Sequence, residues 1–241
     1  MASSAFRVVS AAFILAVSGA WSTCALGAEL NPSADKVVRV NDAEKKKSDA
    51  PIPNKVKSLP DCPIPAKLIR LPLVRQATDY TCGIGALESV LAYYGIETRE
   101  DELAKLLKSD PKNGTAYQRI AKHAQEQGCE VRIIKNMTMQ ELKSFLDRQV
   151  PVICLVQAWG DDPSQYERGW KNGHYVVAAG YDEKNIYLMD PSTLGNFAYV
   201  PIESFLKRWH DTDGKERLFN FGMVISRDHV VFTPDVCKPM E

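Results

Sequence analysis

The sequence lacks the features that mark several large classes of protein. Its 30 basic and 30 acidic residues cancel, so its charge does not indicate nucleic acid or an anionic membrane as a partner. After the N-terminal segment, no apolar run reaches the roughly 20 residues that a transmembrane helix needs. The few histidines and cysteines show neither C-x-x-C nor H-x-x-x-H spacing, which argues against a zinc site. We therefore expect no metal, no organic cofactor and no membrane span in the mature protein.

The N-terminal segment predicts export. Arg7 is followed by an apolar run over residues 8–20 and then by small residues near position 28. This order is typical of a secretory signal peptide, and the run is too short to span a bilayer comfortably. Cys24 could carry a lipid, but the three residues before it match the lipoprotein pattern poorly. We expect a periplasmic or secreted protein, with lipid anchoring at Cys24 as the less favoured alternative.

The chain then divides by composition. Residues 29–60 are polar and aperiodic, and this composition cannot bury enough apolar surface to become ordered. The segment is a linker, a tether or a pro-segment. A chain of 241 residues fits one domain with additional segments. We predict a signal peptide at 1–28, a disordered linker at 29–60, a folded domain at 61–230 and a C-terminal tail at 231–241.

Helix signals crowd the first half of the predicted domain and strand signals the second half. The predicted helices cover about 82–94, 101–108, 115–127 and 138–148. The predicted strands cover 67–74, 129–135, 150–157, 173–180 and 186–190. Gly95 is expected to end the first helix, and Thr138 with Glu141 fits a capping box for the fourth. Residues 159–172 form a predicted polar loop.

The first predicted helix begins at a cysteine. Just before it, Thr78, Asp79 and Thr81 are residue types that start helices. The apolar residues after Cys82 recur at steps of three, four and three, at Ile84, Leu87, Leu91 and Tyr94. In the first turn, unpaired N–H groups and the helix dipole favour an anion, so the pKa of a thiol there can fall below its usual value of about 8.5. On this evidence alone, Cys82 could equally be a small core residue.

A predicted hairpin supplies partners for the cysteine. The strands at 173–180 and 186–190 are joined by a polar turn centred near residue 182. That centre places His174 opposite Asp190, where a carboxylate can orient an imidazole. Alone, each residue has an ordinary structural explanation. Their pairing, together with Cys82 at a helix start, favours a catalytic explanation.

Three motifs in order carry a family resemblance. Gln76 precedes the Cys82-Gly83 pair by five intervening residues, Gly-His-Tyr-Val-Val follows at 173–177, and Asp-Pro comes at 190–191. This pattern is similar to the C39 peptidase domain, a papain-like cysteine peptidase best known as the leader-cleaving module of bacteriocin-exporting ABC transporters. The likeness covers roughly residues 71–227. It implies an α+β papain-like fold, with an N-terminal helical half whose nucleophile helix packs on an antiparallel sheet.

The resemblance also implies roles for four residues. Cys82 matches the nucleophile, His174 the general base and acid, and Asp190 the residue that orients the histidine. Gln76 matches the glutamine whose side-chain amide, with the backbone N–H of the cysteine, forms the oxyanion hole. No cofactor is needed for this chemistry, and the implied partner is a peptide or protein substrate.

Candidate substrate-binding positions are less sharply defined. The loops at 110–116 and 159–172 are the expected walls of the cleft. The aromatic residues that could stack on substrate are Trp159, Tyr166 and Trp170. The positions that we assign to substrate binding are Gly83, Gly114, Trp159 and Gly173.

Two departures from the family pattern limit the inference. In the best-known members, a transmembrane region and an ATPase follow the peptidase, whereas no glycine-rich phosphate loop follows Arg227 here. Thr81 stands where those members often carry an aspartate. We therefore expect a stand-alone exported peptidase with a possible functional link to an exporter, and cleavage of double-glycine leaders does not transfer directly. A catalytically inactive peptide-binding domain and a thiol acyltransferase remain alternatives.

The cysteine count bears on the same question. Removal of the signal peptide would leave Cys62, Cys82, Cys129, Cys154 and Cys237. An odd number leaves one thiol free, which is consistent with a reactive Cys82. Cys62 and Cys237 flank the domain and could tie its ends together. Cys129 and Cys154 lie in predicted strands and could be bridged or be buried free thiols.

Overall fold

The computed structural model describes Pro65 and residues 67–159, 163–237 and 239–240. These all belong to the second of the two units into which the chain divides, residues 59–241. The predicted signal peptide, the predicted linker and Cys62 lie outside the described residues. Export and the predicted domain boundaries therefore stay predictions.

Helices predominate in the first part of the described chain and strands in the second. The helices are α1 Cys82–Tyr93, α2 Glu100–Leu106, α3 Tyr117–Glu126, α4 Met139–Asp147, α5 Pro163–Arg168 and α6 Ile202–Arg208. The strands are β1 Glu130–Ile134, β2 Val152–Gln157, β3 Gly173–Tyr181, β4 Asn185–Met189, β5 Ala198–Pro201, β6 His210–Thr212, β7 Arg217–Phe219 and β8 Gly222–Ser226.

The centre of the fold is a six-stranded antiparallel sheet in the order β1-β8-β2-β3-β4-β5, beside the two-stranded ribbon β6-β7. Strands β2 and β3 are buried almost throughout, which explains their near-continuous apolar sequences. Helix α1 packs against β3. The α+β architecture and the packing of the Cys82 helix on an antiparallel sheet are confirmed.

Helix α1 forms where its apolar period predicts. It begins at Cys82, and its residues Ile84, Leu87 and Leu91 have no exposed surface. Gly95 follows the end of the helix with a φ of +78°, a conformation that suits glycine because it has no Cβ. The backbone N–H groups of Val231 and Phe232 both donate to the carbonyl of Tyr93 at that end. Residues predicted to begin the tail therefore pack on the end of α1.

Helix α4 begins at the capping box that the sequence predicts. The hydroxyl of Thr138 accepts from the backbone N–H of Glu141 at 3.1 Å. The carboxylate of Glu141 accepts from the backbone N–H of Thr138 at 2.8 Å. Each side chain therefore satisfies one N–H group that the first turn would leave unpaired. This prediction is confirmed.

Three other predictions from the sequence were wrong or incomplete. Residues 67–74 form no strand, since both edges of β3 are taken by β2 and β4. The segment makes one backbone hydrogen bond to β3, in which the N–H of Ile69 donates to the carbonyl of Ala179. A bulge between Ala178 and Gly180 leaves this carbonyl available. The predicted loop at 159–172 contains α5. After residue 190 four further strands and α6 form, and these elements of three to seven residues give no clear period in the sequence.

The described residues show no disulfide-bonded cysteine. Cys82, Cys129 and Cys154 are buried free thiols, and Cys237 is an exposed free thiol. Within this part of the chain no helix is both long and apolar enough to cross a membrane. The same part of the chain holds no group of three or more metal-binding side chains.

Candidate active site

The start of α1 is held close to two other segments by glycine. A Cβ at Gly83 would come within 3.0 Å of the ring of Tyr175, and one at Gly85 within 3.1 Å of Pro191. Such distances are tighter than ordinary van der Waals contact, so neither position has room for a side chain without movement of its neighbour. The thiol-bearing Cys82 is thereby fixed beside the residues that immediately precede Tyr175 and Pro191 in the sequence.

Those preceding residues are His174 and Asp190, and they interact directly. His174 Nε2 lies 2.7 Å from Asp190 Oδ1, and the imidazole is only 2% exposed. The predicted proximity is present, but the predicted hairpin register is wrong. Val177 pairs with Met189, two residues away from the predicted partner, because the turn centres between residues 183 and 184 rather than on residue 182, and the bulge in β3 reduces the difference by only one residue. The two side chains still meet because Asp190 lies just beyond the end of β4 and reaches back.

The Cys82 thiol lies within interaction range of the same imidazole. Cys82 is 8% exposed, and its sulfur lies near enough to interact with the His174 ring as a hydrogen-bond partner and as a charge. The ring's Nδ1 atom makes no hydrogen bond of standard geometry to any described residue. Catalytic hydrogen bonds of this kind are often poorly aligned in the absence of substrate.

Four donors hold the carboxylate of Asp190 in its ionised form. Besides His174, it accepts from the backbone N–H of Ser192 at 2.8 Å and from the hydroxyls of Ser192 and Thr193 at 2.8–3.0 Å. Burial raises the pKa of Asp190, but His174 and these donors outweigh it and lower the pKa to about 2. The charge on Asp190 is therefore fixed across the neutral range.

The fixed charge acts on the histidine in turn. Burial lowers the pKa of His174, but its hydrogen bonds with Asp190 and Cys82, together with their charges, raise it to about 9. The imidazole is therefore protonated at neutral pH and faces the thiol with a positive charge. The ring of Trp159 covers it, with ring centroids 4.6 Å apart.

Gln76 is tied to the same segments. Its backbone N–H donates to the Pro191 carbonyl at 3.0 Å, and its side-chain amide donates to the Thr78 carbonyl at 2.6 Å. That bond uses one of the two N–H groups of the amide, and Oε1 has no partner among the described residues. The glutamine thus lies between the loop that leads into α1 and the loop that follows Asp190.

A cleft of about 560 Å³ opens beside the thiol. Of the four predicted substrate-binding positions, Gly114, Trp159 and Gly173 line this cleft together with Cys82. Gly83 does not line it, since this residue faces the rings and methyl groups packed beneath α1. A larger groove of about 750 Å³ lies near the other end of α1, but no residue of the proposed chemistry lines it.

Three residues in and around the site were missed at the level of sequence. Asp211 lines the cleft, and the buried amide of Gln157 donates to its carboxylate at 3.0 Å. Asp211 stands in a short polar stretch with nothing to distinguish it, and Gln157 looks like the end of a strand. Ser192 could have been found, because a serine two residues after an aspartate is typical of a turn that the carboxylate stabilises.

Comparisons with known proteins identify the family of this chain. A sequence model of the peptidase C39 family matches residues 70–212. The transport/processing ATP-binding protein ComA of Streptococcus pneumoniae is 30% identical over 135 residues, which is 56% of this chain but 17% of ComA. The chain thus matches about a sixth of that relative. An uncharacterised protein of Methanothermobacter marburgensis is 32% identical over 120 residues, 50% of this chain and 71% of that protein.

Solved structures show the same fold. The peptidase domain of Streptococcus ComA superposes with a TM-score of 0.50 at 24% identity, covering 65% of this chain and 96% of that domain. A putative C39-like peptidase from Bacillus anthracis gives 0.53 at 19% identity, covering 66% and 96%. The chain therefore belongs to the peptidase C39 family, and the part matched, residues 70–212, lies in a cysteine peptidase domain.

Proposed function

We propose that this protein is an exported endopeptidase in which Cys82, His174 and Asp190 form a catalytic triad and Gln76 completes an oxyanion hole. The observation that carries the proposal is the position of His174, whose Nε2 lies 2.7 Å from the Asp190 carboxylate and whose ring is within interaction range of the Cys82 thiol. No residue of the set needs a cofactor for this chemistry.

The resting enzyme holds a thiolate–imidazolium pair. A proton on His174 favours loss of the proton from Cys82, since each charge stabilises the other in a buried site. The thiolate also lies in the first turn of α1, where the helix dipole favours an anion. Asp190 fixes the orientation of the imidazole ring of His174 and stabilises its positive charge.

Acylation follows from these positions. Cys82 Sγ attacks the carbonyl carbon of the scissile peptide, and the oxyanion receives hydrogen bonds from the Cys82 backbone N–H and the Gln76 amide. His174 then gives its proton to the leaving nitrogen as the C–N bond breaks. In the second half, His174 takes a proton from water, whose oxygen attacks the thioester; the C–S bond breaks, the acid product is released and the thiolate–imidazolium pair is regenerated.

Replacement of Cys82 by alanine should abolish peptide hydrolysis, because no other group in the cleft can form the thioester. The measurement is cleavage of a mixed decapeptide library followed by mass spectrometry. Cys237→Ser is the matched control, since it removes an exposed thiol and should leave turnover unchanged. Binding of peptides without cleavage by the parent would favour an inactive binding domain. A new amide product on addition of an amine would favour a transferase.

Asp190→Asn should move the alkaline limb of the pH–rate profile to lower pH. In the parent, kcat/KM should fall as pH rises through about 9, where His174 loses its proton. Loss of the Asp190 charge should shift this limb downwards by roughly one unit or more. The raised pKa of His174 also affects stability. Its interaction with Asp190 contributes fully to the free energy of unfolding below about pH 6.5, and this contribution is lost as pH rises through about 9. An unshifted alkaline limb in the variant would contradict the proposed role of Asp190.

Gln76→Ala should lower kcat about a hundredfold and change KM little, because the lost hydrogen bond forms only with the oxyanion. This corresponds to about 3 kcal/mol of transition-state stabilisation. Steady-state kinetics on one cleaved peptide provide the measurement, with thermal unfolding as a check on the fold. A rise in KM with kcat unchanged would instead assign Gln76 to substrate binding.

Export rests on the N-terminal sequence, in which an apolar run over residues 8–20 is followed by small residues. We expect the mature protein to begin near residue 29 and to be found outside the cytoplasmic membrane. N-terminal sequencing of the fractionated protein tests this, and an intact Met1 in the cytoplasmic fraction would refute it. ComA of Streptococcus pneumoniae is a transport/processing ATP-binding protein, and this likeness supports a functional link to an exporter for this chain.

A further inference from the structure

A buried carboxylate lies in the same cleft as Cys82 and has no part in the mechanism above. Asp211 belongs to β6, is 8% exposed and lines the cleft. Its carboxylate occupies the space that a Cβ at Gly173 would need, so any side chain at residue 173 would displace it. Gly173 is the residue before His174. The carboxylate therefore lies on the wall of the cleft next to the proposed catalytic histidine.

The charge of Asp211 is unbalanced. Its carboxylate accepts hydrogen bonds from the buried amide of Gln157 and from the backbone N–H of Thr212. Among the described residues it forms no ion pair with a lysine, an arginine or a histidine. A buried charge without a counter-charge is unfavourable unless a partner supplies one.

The fold does not need this charge. Burial raises the pKa of Asp211 from 3.8 to about 6, and the Thr212 and Gln157 hydrogen bonds offset only part of the shift. Because the folded value is the higher one, ionisation costs stability progressively as pH rises from about 4 through about 6, and the whole cost is present at neutral pH. An asparagine could accept the same hydrogen bond from Gln157 without this cost. The carboxylate is therefore better explained by a ligand than by packing.

The surroundings favour a cation as that ligand. Four aspartates line the cleft, at positions 79, 110, 211 and 213, against three basic residues, at positions 112, 119 and 171. One of the three, Arg119, donates to the backbone carbonyls of Leu107 and Lys108 at 3.0 Å. Asp211 is the buried member of the acidic set, so solvent screens it least.

We infer that Asp211 is a specificity-determining residue, which binds a cationic group of the substrate beside the scissile bond. That group is the side chain of a lysine or arginine, or a free α-amino group. The inference rests on the proposed peptidase function. It adds to that function a preference set by one carboxylate in the cleft wall, and it accounts for glycine at position 173 as the residue that makes room for the carboxylate.

The first test measures how the charge of Asp211 affects the reaction of Cys82 with charged reagents, and it does not require peptide hydrolysis. Cys82 is modified with 2-aminoethyl, methyl and 2-sulfonatoethyl methanethiosulfonate, which are cationic, neutral and anionic. Modification of Cys82 itself is followed by mass spectrometry of the peptide that contains it. The ratio of cationic to anionic rates should fall about fivefold in Asp211→Asn, since the carboxylate is near and poorly screened.

Asp213→Asn is the matched control, because Asp213 lines the same cleft but is less buried. It should change the ratio of rates less than twofold. Asp211→Ser is a second variant in case the asparagine protein fails to fold, and it retains a hydroxyl as acceptor for Gln157. An unchanged ratio in a folded Asp211 variant would overturn the inference, whether or not the protein hydrolyses peptides.

The second test uses the decapeptide library with free and with acetylated N-termini. The parent should prefer lysine or arginine at one position next to the cleaved bond, and Asp211→Asn should lose this preference at least fivefold while still cleaving neutral peptides. If the preference is seen only in peptides with free N-termini, the group that Asp211 binds is the α-amino group. Cleavage with no cationic preference would refute the inference and leave the proposed function intact. Absence of any cleavage would refute the proposed function, while the thiol test would still decide the charge of the site.

Discussion

The close approach of α1 to the sheet is the constraint on which the rest of this site depends. Gly83 faces Tyr175 and Gly85 faces Pro191, and each contact is too tight for a side chain on the glycine. Because Tyr175 follows His174 and Pro191 follows Asp190, the two contacts place the thiol, the imidazole and the carboxylate relative to one another. The backbone bond from Gln76 to the Pro191 carbonyl adds the fourth member to the same arrangement.

The charged groups of this site influence one another in sequence. Hydrogen bonds from the loop after β4 help to lower the pKa of Asp190, and the ionised Asp190 helps to raise the pKa of His174, whose ring lies beside Cys82. Burial opposes both charges, and the partners overcome it because they are preorganised. Asp211, in contrast, accepts hydrogen bonds but has no counter-charge among the described residues, whereas Asp190 is paired with His174.

Features of the fold and the site could be predicted from the sequence where they depend on neighbouring residues. The start of α1 at Cys82 and the capping box of α4 follow from neighbouring residues, and the structure contains both. The meeting of His174 with Asp190 was expected from a hairpin whose register was wrong by two residues, because the polar residues between the strands do not show where the turn is centred. Asp211 could not be found from sequence, since its burial arises only when β6 packs over β3, far away in the chain.

The end of the chain has a consequence for where this folding unit can be cut. The family match stops at residue 212, yet β8 lies between β1 and β2 in the middle of the sheet. Beyond it, the N–H groups of Val231 and Phe232 close the last turn of the helix that begins with Cys82. A fragment trimmed to the matched region would lose an interior strand and leave β1 detached. The unit that folds is therefore longer than the unit that homology recognises, and a recombinant domain should extend past residue 232.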